Sequence, residues 1–242
     1  MFSVEKNKLS EDLMPFDKQL TRSDDPLPKT HLTYIISGMK GSGKSTLLLN
    51  LLKRKSSPYY RWFDNIILFS PTANKDQKFE KLVNELDAEG KVFTELDDEN
   101  LEKAFDLIGK FNDNFDEKEE KRKAHNLIIM DDCIHMMKGS QSKSLLNELF
   151  TTSRHKKCSL WVCTQKYNKL PTLLRTNTDC ISYFRNNNKA DFKTLEDDLN
   201  IDPKLLEQVY EFATAEPNSF LYINMFNGKP KFFKKFDLIK ME

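Results

Sequence analysis

A chain of 242 residues is long enough for one sizeable α/β domain or two small ones. Hydrophobic residues make up 38% of it and include 18 Phe, which excludes a wholly disordered protein because that content can build a core. The 38 basic and 37 acidic side chains leave a net charge of +1, which excludes a polycation. Any contact with nucleic acid would therefore need local basic patches or an assembled ring.

The four cysteines lie inside apolar runs and show no short paired spacing, so we expect reduced core thiols rather than disulfides or zinc ligands. The first residues, MFSVEKNKLSEDLM, contain no apolar segment typical of a leader peptide, and no apolar run approaches the length of a membrane span. These features predict a soluble intracellular protein.

In chain order, residues 1–31 are polar, carry three prolines and show no hydrophobic period, which predicts an N-terminal arm. From residue 32 onward, apolar strand segments alternate with segments of helical spacing. The predicted strands are 32–36, 65–70, 91–94, 126–130, 158–163 and 180–184. The predicted helices are 47–55, 76–88, 98–114, 142–152 and 203–214.

This alternation predicts an α/β fold with a mainly parallel sheet and helices on both faces. Near the C-terminus, SFLYINMF and KFFKKFDLI flank Asn227-Gly228, which is a strong hairpin signal. We therefore predict a C-terminal β-hairpin at about 219–239. It belongs to a single domain, 32–242, that follows the arm.

Residues 38–45, GMKGSGKS, fit the G-x-x-x-x-G-K-[ST] pattern of a phosphate-binding P-loop. The glycines let backbone N–H groups turn toward phosphate oxygens, Lys44 brings a charge to the β- and γ-phosphates, and the Ser45 hydroxyl can ligate Mg²⁺. A predicted strand precedes the motif and a helix follows it, so the helix N-terminus also faces the anion. The sequence thus predicts an ATP and Mg²⁺ site formed by Gly38, Met39, Lys40, Gly41, Ser42, Gly43, Lys44, Ser45 and Thr46.

The strand NLIIMDD supplies the acids that a P-loop enzyme needs. We assign Asp131 to the metal and Asp132 to orienting or deprotonating the attacking water, with Glu148 as an alternative base. Asp is shorter than the more usual Glu, so an additional water would let Asp132 reach the reaction. Wide spacing disfavours the alternative of a metal site built from two cysteines and two histidines, namely Cys133, His135, His155 and Cys158.

The segment FTTSRHKKCSLWVCTQ, residues 150–165, joins a cationic cluster to an apolar strand that ends in an amide. As a simpler alternative, Arg154 and its neighbours form a solvated helix end, and Gln165 is an ordinary strand-end amide. Similarly, the phenylalanines and lysines of KFFKKF would either stack on nucleic acid or form the buried face of the hairpin. The rings concerned are Phe232, Phe233 and Phe236.

Taken in order, SGMKGSGKST, LIIMDD and SRHKKCSLWVCTQ resemble the FtsK–HerA superfamily of RecA-like ATPases, which are P-loop NTPases of the ASCE group. Among these, the chain is similar to the DNA-packaging ATPases of poxviruses, giant viruses and virophages, over about residues 30–185. The resemblance implies that Arg154 reaches the ATP of a neighbouring subunit and that Gln165 senses the γ-phosphate. Arg175 and Arg185 are alternative arginines for that first role. Lys40 stands where some packaging motors carry an arginine that acts in cis.

The resemblance implies a ring of subunits, pentamer or hexamer, that hydrolyses ATP at subunit interfaces and packages double-stranded DNA into a capsid. It further implies a capsid or portal vertex partner, no membrane insertion, and a place in the cytoplasmic viral factory with transient or permanent virion association. Two other classes stay open: a monomeric P-loop nucleotide kinase or NTPase, and an ATP-dependent scaffold or other DNA pump. A GTPase is disfavoured because Pro171 stands where the guanine-reading Asp of N-K-x-D belongs.

Overall fold

A computed structural model describes residues 2–5, 26–29, 31–73, 79–118, 124–138, 143–226 and 229–241. The strands are β1 (Phe2–Glu5), β2 (Thr33–Ser37), β3 (Asn65–Phe69), β4 (Val92–Phe93), β5 (Asn126–Asp131), β6 (Cys158–Thr164), β7 (Cys180–Phe184), β8 (Phe220–Asn224), β9 (Lys231–Lys234) and β10 (Asp237–Met241). The helices are α1 (Lys44–Lys53), α2 (Glu80–Asp87), α3 (Asp98–Lys118), α4 (Lys143–Thr152), α5 (Thr172–Thr176), α6 (Lys189–Leu199) and α7 (Pro203–Ala213).

All described strands belong to one ten-stranded sheet with the order β1-β10-β9-β8-β7-β2-β6-β5-β3-β4. The strands from β7 to β4 in this order run parallel to one another, and β8, β9, β10 and β1 add antiparallel pairs. The predicted α/β fold, with its mainly parallel sheet and C-terminal hairpin, is confirmed.

The acid-bearing strand β5 lies between the P-loop strand β2 and the second strand β3, and β6 separates β5 from β2. Val162 of β6 pairs with Ile35 of β2 on one side and with Met130 of β5 on the other. The three parallel strands β2, β6 and β5 therefore end side by side, at Ser37, Thr164 and Asp131. We call this edge of the sheet the P-loop edge, and the edge at which these strands begin the opposite edge.

Helices cover both faces of the sheet. Helices α1 and α2 pack on one face and α3 to α7 on the other, as the two separate clusters of buried side chains show. Every residue of β5 and β6 is buried, and along β5 the side chains of Ile128 and Ile129 enter opposite clusters. The continuous apolar runs of these strands thus reflect burial on two faces.

The sequence pattern did not predict helix α6, because a buried carboxylate interrupts the apolar face of this helix. Its buried positions are Asp191, Leu195 and Leu199, spaced four residues apart. Asp191 is fully buried and accepts hydrogen bonds from the backbone N–H groups of Tyr167 and Asn168 at 3.1 and 2.8 Å. A buried acid satisfied in this way supports the fold, but in the sequence it is indistinguishable from a surface residue.

The C-terminal segment contains one more turn than the sequence predicts. Asn224 of β8 pairs with Lys231 of β9, as the predicted hairpin requires, although Asn227-Gly228 lies outside the described residues. KFFKKFDLI is two strands, because Lys235 takes a left-handed conformation with φ of 58° and turns the chain from β9 into β10. Strand β10 then pairs with β1, which places residues 2–5 of the predicted arm at the sheet edge.

Candidate active site

The P-loop connects the end of β2 to the start of α1. Gly41 and Gly43 have φ of 80° and 106°, a region that residues with a side chain rarely adopt. Position 38 also requires glycine, because a Cβ there would clash with the Cβ of Phe184 at 2.6 Å. The Gly38 N–H also donates to the carbonyl of Thr164 at 3.1 Å, so the loop is held against both neighbouring strands, β7 and β6.

Lys44, the first residue of α1, is bound beneath the loop that it follows. Its Nζ donates to the carbonyls of Gly38 and Met39 at 2.7 and 3.0 Å. Burial lowers the pKa of Lys44, and the nearby carboxylates of Asp132 and Asp131 oppose that shift. The structure therefore brings the predicted lysine and both predicted acids into one electrostatic site.

The two acids leave the end of β5 in different conformations. Asp131 is the last residue of the strand, is 8% exposed, and lies opposite Cys163 of β6. Asp132 has a left-handed φ of 53°, and its N–H donates to the Cys163 carbonyl at 3.1 Å. Left-handed backbone at a non-glycine residue is uncommon and clusters at functional sites, which agrees with the position of Asp132 beside the P-loop.

Gln165, directly after β6, contacts the second acid. Its Nε2 donates to Oδ2 of Asp132 at 2.8 Å. The sequence predicted separate roles for these two residues and missed their contact, because that contact depends on β5 and β6 being neighbours. Strand order was the signal that would have revealed it.

Glu148, the alternative base, lies away from the P-loop. Its Oε1 is 2.9 Å from Nζ of Lys156, which lies two residues before the start of β6 at the opposite edge. Asp132 follows the end of β5 at the P-loop edge. Of these two candidate bases, Asp132 is therefore the one at the P-loop edge.

The alternative site of two cysteines and two histidines is wrong. Cys133 follows the end of β5 and Cys158 begins β6, so these parallel neighbours place the two thiols at opposite edges of the sheet. Among the described residues there is no group of three or more His, Cys, Asp or Glu side chains able to hold a metal ion. All four cysteines are buried free thiols, as the sequence predicted.

Arg154 lies at the opposite edge, remote from the P-loop of its own chain. The seven residues of β6 separate it from Gln165, a distance of about 23 Å along the strand. Its guanidinium forms an ion pair with Asp179 and lies 5.8 Å from the ring centroid of Phe226, while about half of the side chain, 53%, stays exposed. Oδ2 of Asp179 in turn accepts the N–H of Thr33, the first residue of β2, at 2.8 Å.

The two other candidate arginines differ in their surroundings. Arg175 is largely buried: its Nε donates to Asp198 at 2.7 Å and a terminal nitrogen donates to the Leu170 carbonyl at 2.6 Å. Arg185 follows β7 at the P-loop edge, is half-exposed, and pairs with Glu211 at 3.0 Å. Arg175 is thus engaged inside its own chain, and Arg185 borders its own P-loop.

Two segments from the C-terminal part of the chain lie beside the P-loop, and the sequence did not predict this position. The loop before β8 brings Asn218 to the P-loop, with its Oδ1 3.6 Å from the position that a Cβ of Gly43 would occupy. The turn between β9 and β10 brings Lys235 and Phe236 to the same side. Both follow from the antiparallel pairing of β8 with β7, which local sequence patterns do not reveal.

The nucleic-acid alternative for KFFKKF does not fit the burial of its side chains. Phe232 and Phe233 are 4% and 1% exposed, on opposite faces of the sheet. Lys234 pairs with Glu216 at 2.7 Å, and Phe236 is half-buried at the turn. Phe232 and Phe233 of the motif are therefore buried residues of the hairpin.

Comparison with known proteins identifies a matching family model and similar solved structures. A family model described as Poxvirus A32 protein matches residues 19–223, which include the P-loop, both acids, Arg154 and Gln165. No curated protein sequence matches the chain. Among the described residues there is also no helix with both the length and the apolarity to cross a bilayer.

Solved structures share the fold at low sequence identity. The chain is similar to the genome packaging NTPase B204 from Sulfolobus turreted icosahedral virus 2 in complex with AMP, at 17% identity over 86% of this chain and 98% of that one, with a TM-score of 0.60. It is also similar to B204, the DNA-packaging ATPase from Sulfolobus turreted icosahedral virus, at 19% identity over 85% and 98%, with a TM-score of 0.56. Against the cytoplasmic domain of the Thermomonospora curvata type VII secretion ATPase EccC, the identity is 15% over 93% and 30%, with a TM-score of 0.53.

The matched family range covers well over half of the chain and contains every residue on which the sequence resemblance rests. The B204 structure shares the fold of this chain at a TM-score of 0.60. The resemblance to viral DNA-packaging ATPases is confirmed, and the chain belongs to the Poxvirus A32 protein family.

Proposed function

We propose that this protein is an ATPase that assembles as a ring and translocates double-stranded DNA into a viral capsid. The observation that carries the proposal is the meeting of Lys44, Asp131, Asp132 and Gln165 at the P-loop edge of three adjacent strands. Membership of the Poxvirus A32 family, and the description of B204 as a genome packaging NTPase, support packaging as the purpose of that hydrolysis. Residues 32–242 would act as one ATPase domain that follows the arm.

Nucleotide binding is proposed to use the loop from Gly38 to Thr46. Its backbone N–H groups and the N-terminus of α1 would receive the phosphates, as in other P-loops. Lys44 already lies beneath the loop and would exchange its carbonyl partners, Gly38 and Met39, for phosphate oxygens. The AMP bound to the similar B204 structure supports an adenine nucleotide as ligand.

Magnesium is the metal that these residues fit. Ser45 is the second residue of α1, next to Lys44, and the Asp131 carboxylate is close enough to Lys44 to influence its pKa. Two hard oxygen donors would thus flank the phosphates. When bound, Mg²⁺ would neutralise charge on the phosphate oxygens. Asp131 and Ser45 would hold it, the carboxylate acting directly or through a water.

Asp132 is proposed as the general base. Gln165 engages its Oδ2, which leaves Oδ1 as the oxygen to accept a proton from the attacking water. Because Gln165 directly follows the strand next to the P-loop strand, its amide would exchange partners when the γ-phosphate is lost. Movement of Gln165 on loss of the γ-phosphate would therefore also move the carboxylate of Asp132 through this hydrogen bond.

Arg154 is proposed to act on the nucleotide of a neighbouring subunit. It is half-exposed at the opposite edge, about 23 Å along β6 from its own site, so only another chain's nucleotide is within reach. A charge supplied there would stabilise the transferred phosphoryl group. Hydrolysis should therefore be weak in isolated subunits.

ATP turnover measured across protein concentration, with and without double-stranded DNA, tests the proposal. We expect turnover per subunit to rise with concentration and to rise again with DNA. The Lys44→Ala variant is the control for contaminating phosphatase. Turnover that is independent of both variables would instead identify a monomeric nucleotide kinase or NTPase. Nucleotide-dependent assembly without hydrolysis would identify a scaffold.

A further inference from the structure

The amide of Gln165, which donates to Asp132, lies in an exposed stretch of the chain. Gln165 and the next residue, Lys166, are exposed. The parallel pairing of β6 with β2 ends one residue earlier, at Thr164, and the next buried side chain is that of Tyr167. Packing of its own side chain therefore does little to hold Gln165, and the position of its amide depends on how the backbone is fixed before and after it.

The backbone after β6 is fixed by a carboxylate from a distant helix. The chain enters a 3-10 turn, Tyr167–Lys169, whose first N–H groups need acceptors. Lys166, which precedes the turn, cannot supply one from its side chain, because an ammonium group only donates. Asp191 of α6 supplies both: its Oδ2 accepts the N–H of Tyr167 at 3.1 Å, and its Oδ1 accepts the N–H of Asn168 at 2.8 Å. A residue 24 positions from Tyr167 thus caps this turn.

The carboxylate of Asp191 is itself held in place. It is fully buried and lies in the first turn of α6, where the helix dipole favours a negative charge. Its Oδ2 also accepts a hydrogen bond at 2.8 Å from Nδ2 of Asn186, two residues after β7. Strands β6 and β7 lie on either side of the P-loop strand β2. One buried carboxylate therefore joins the segments that follow both neighbours of the P-loop strand.

The groups that face this carboxylate require an acceptor on both of its oxygens. The donors are two backbone N–H groups of the turn and the amide of Asn186. An asparagine at position 191 would offer one acceptor oxygen and one NH₂ group. Its NH₂ group would face an N–H donor, which would be left unpaired in a buried place and would loosen the turn.

We propose that Asp191 is a positioning residue for hydrolysis. By fixing the 167–169 turn, it sets the position of the Gln165 amide and, through the hydrogen bond of that amide, the orientation of the Asp132 carboxylate. The inference rests on the proposed function, in which Asp132 is the base and Gln165 responds to the γ-phosphate. Asp191 acts through the backbone of the turn and not on the nucleotide itself.

The test is a double-mutant cycle on ATP turnover by the full-length protein, under the conditions that give maximal wild-type turnover. Asp191→Asn should lower kcat by about ten- to a hundred-fold, since misplacement of a catalytic group by about 1 Å costs up to about 10²-fold. The loss should not exceed that of Gln165→Ala, and the calorimetric Kd for Mg-ATP should not change. In the Gln165→Ala background, Asp191→Asn should lower kcat by less than about two-fold, because its effect passes through Gln165. Damage unrelated to Gln165 would instead lower kcat by the same factor in both backgrounds.

The matched control is Asp198→Asn. Asp198 lies on the same helix and contacts the same turn, but its Oδ2 accepts from the side-chain hydroxyl of Tyr167, at 2.9 Å. The same oxygen accepts from Nε of Arg175 at 2.7 Å. Asp198→Asn should therefore lower the free energy of unfolding without lowering kcat.

Asn186→Ala is a milder probe that keeps the charge of Asp191. It removes one of the three donors to the carboxylate, so we expect kcat to fall by about two- to ten-fold, the factor that corresponds to one hydrogen bond. If Asp191→Asn fails to fold, an Asn186→Ala protein with the kcat of wild type overturns the positioning role.

The outcomes separate this inference from the proposed function. Wild-type kcat in Asp191→Asn, an equal loss in the two backgrounds of the cycle, or an equal loss in Asp198→Asn overturns the positioning role. A lowered kcat in Gln165→Ala leaves the proposed function intact in each of these cases. Wild-type kcat in Gln165→Ala, or a wild-type protein without ATP turnover, overturns both.

Discussion

Gln165 donates a hydrogen bond from Nε2 to Oδ2 of Asp132, across 2.8 Å and 33 positions of sequence. The contact forms because β5 and β6 are parallel neighbours that end together at the P-loop edge. The proposed base and the proposed γ-phosphate sensor are therefore one hydrogen-bonded unit. Any movement of Gln165 on hydrolysis would reorient the base directly.

Replacement of Asp132 by Asn should abolish proton abstraction while keeping the shape of the side chain. We expect kcat to fall by about 10²–10⁴-fold, the usual contribution of a general base, with little change in ATP affinity. Steady-state turnover and calorimetric ATP binding separate these two effects. Glu148→Gln is the control, because Glu148 pairs with Lys156 at the opposite edge, and it should retain turnover. Loss of turnover in Glu148→Gln alone would transfer the base role to Glu148.

Replacement of Gln165 by Glu should change the pH dependence of turnover. A second carboxylate within hydrogen-bond distance of Asp132 raises the pKa of the pair, because two like charges disfavour ionisation. The base then stays protonated to a higher pH, so the acid limb of the kcat profile should move upward. Gln165→Ala adds no charge and should lower kcat without that upward shift. Superimposable acid limbs in wild type and Gln165→Glu would show that Asp132 is not the titrating base.

A subunit-mixing experiment can test whether Arg154 acts in trans. Arg154→Ala and Lys44→Ala proteins should each be nearly inactive, because removal of an arginine finger costs about 10³–10⁵ in rate and Lys44 binds the phosphates. In mixed rings, an intact P-loop would face an intact arginine at some interfaces, so mixing should restore part of the turnover. Strictly additive, near-zero activity in verified mixed rings would contradict the assignment.

Arg175→Ala is the comparison for that experiment. Arg175 is bound to Asp198 and to the Leu170 carbonyl within its own chain, so its removal takes the counter-ion from a largely buried carboxylate and a donor from that carbonyl. We expect the free energy of unfolding to fall by about 1–3 kcal/mol, measured by denaturant titration. Mixing Arg175→Ala with Lys44→Ala should give no gain beyond the activity of the Arg175→Ala sites. A gain matching that of Arg154→Ala would make Arg175 the trans arginine.

The buried thiols should make the fold less stable in alkaline solution. Burial raises the pKa of all four cysteines, that of Cys158 to about 12. Above pH ~8.5 the unfolded chain loses thiol protons that the native protein keeps, so the free energy of unfolding should fall as pH rises. The limiting slope is about 1.4 kcal/mol per pH unit for each thiol. Denaturant titrations between pH 7 and 9.5 measure it.

Cys158→Ala is the control for this pH effect. It removes one titrating thiol from the start of β6, so its stability should fall less steeply with pH than that of wild type. Tyrosine titration contributes little below pH ~9.5, since an ordinary tyrosine has a pKa near 10. Identical slopes in wild type and variant would show that the Cys158 thiol does not contribute.

The sequence by itself determined the P-loop, the acid pair, the alternation of strands and helices, and the hairpin between residues 220 and 234. Each of these depends on residues that are near one another in the chain. Glycines permit left-handed turns, and continuous apolar runs predict strands that are buried on both faces. In the P-loop pattern, the lysine at fixed spacing after the glycines lies at the start of the following helix. The sequence did not predict helix α6, because Asp191 has the character of a surface residue until its partners, the N–H groups of Tyr167 and Asn168, are known.

Only the tertiary structure decided which distant residues meet. The contact of Gln165 with Asp132, the ion pair of Arg154 with Asp179, and the approach of Phe236 to the P-loop all depend on strand order. Strand order is set by long-range pairing and by the packing of helices on two faces. These are free energies summed over the whole sheet, and no local pattern of residues encodes them.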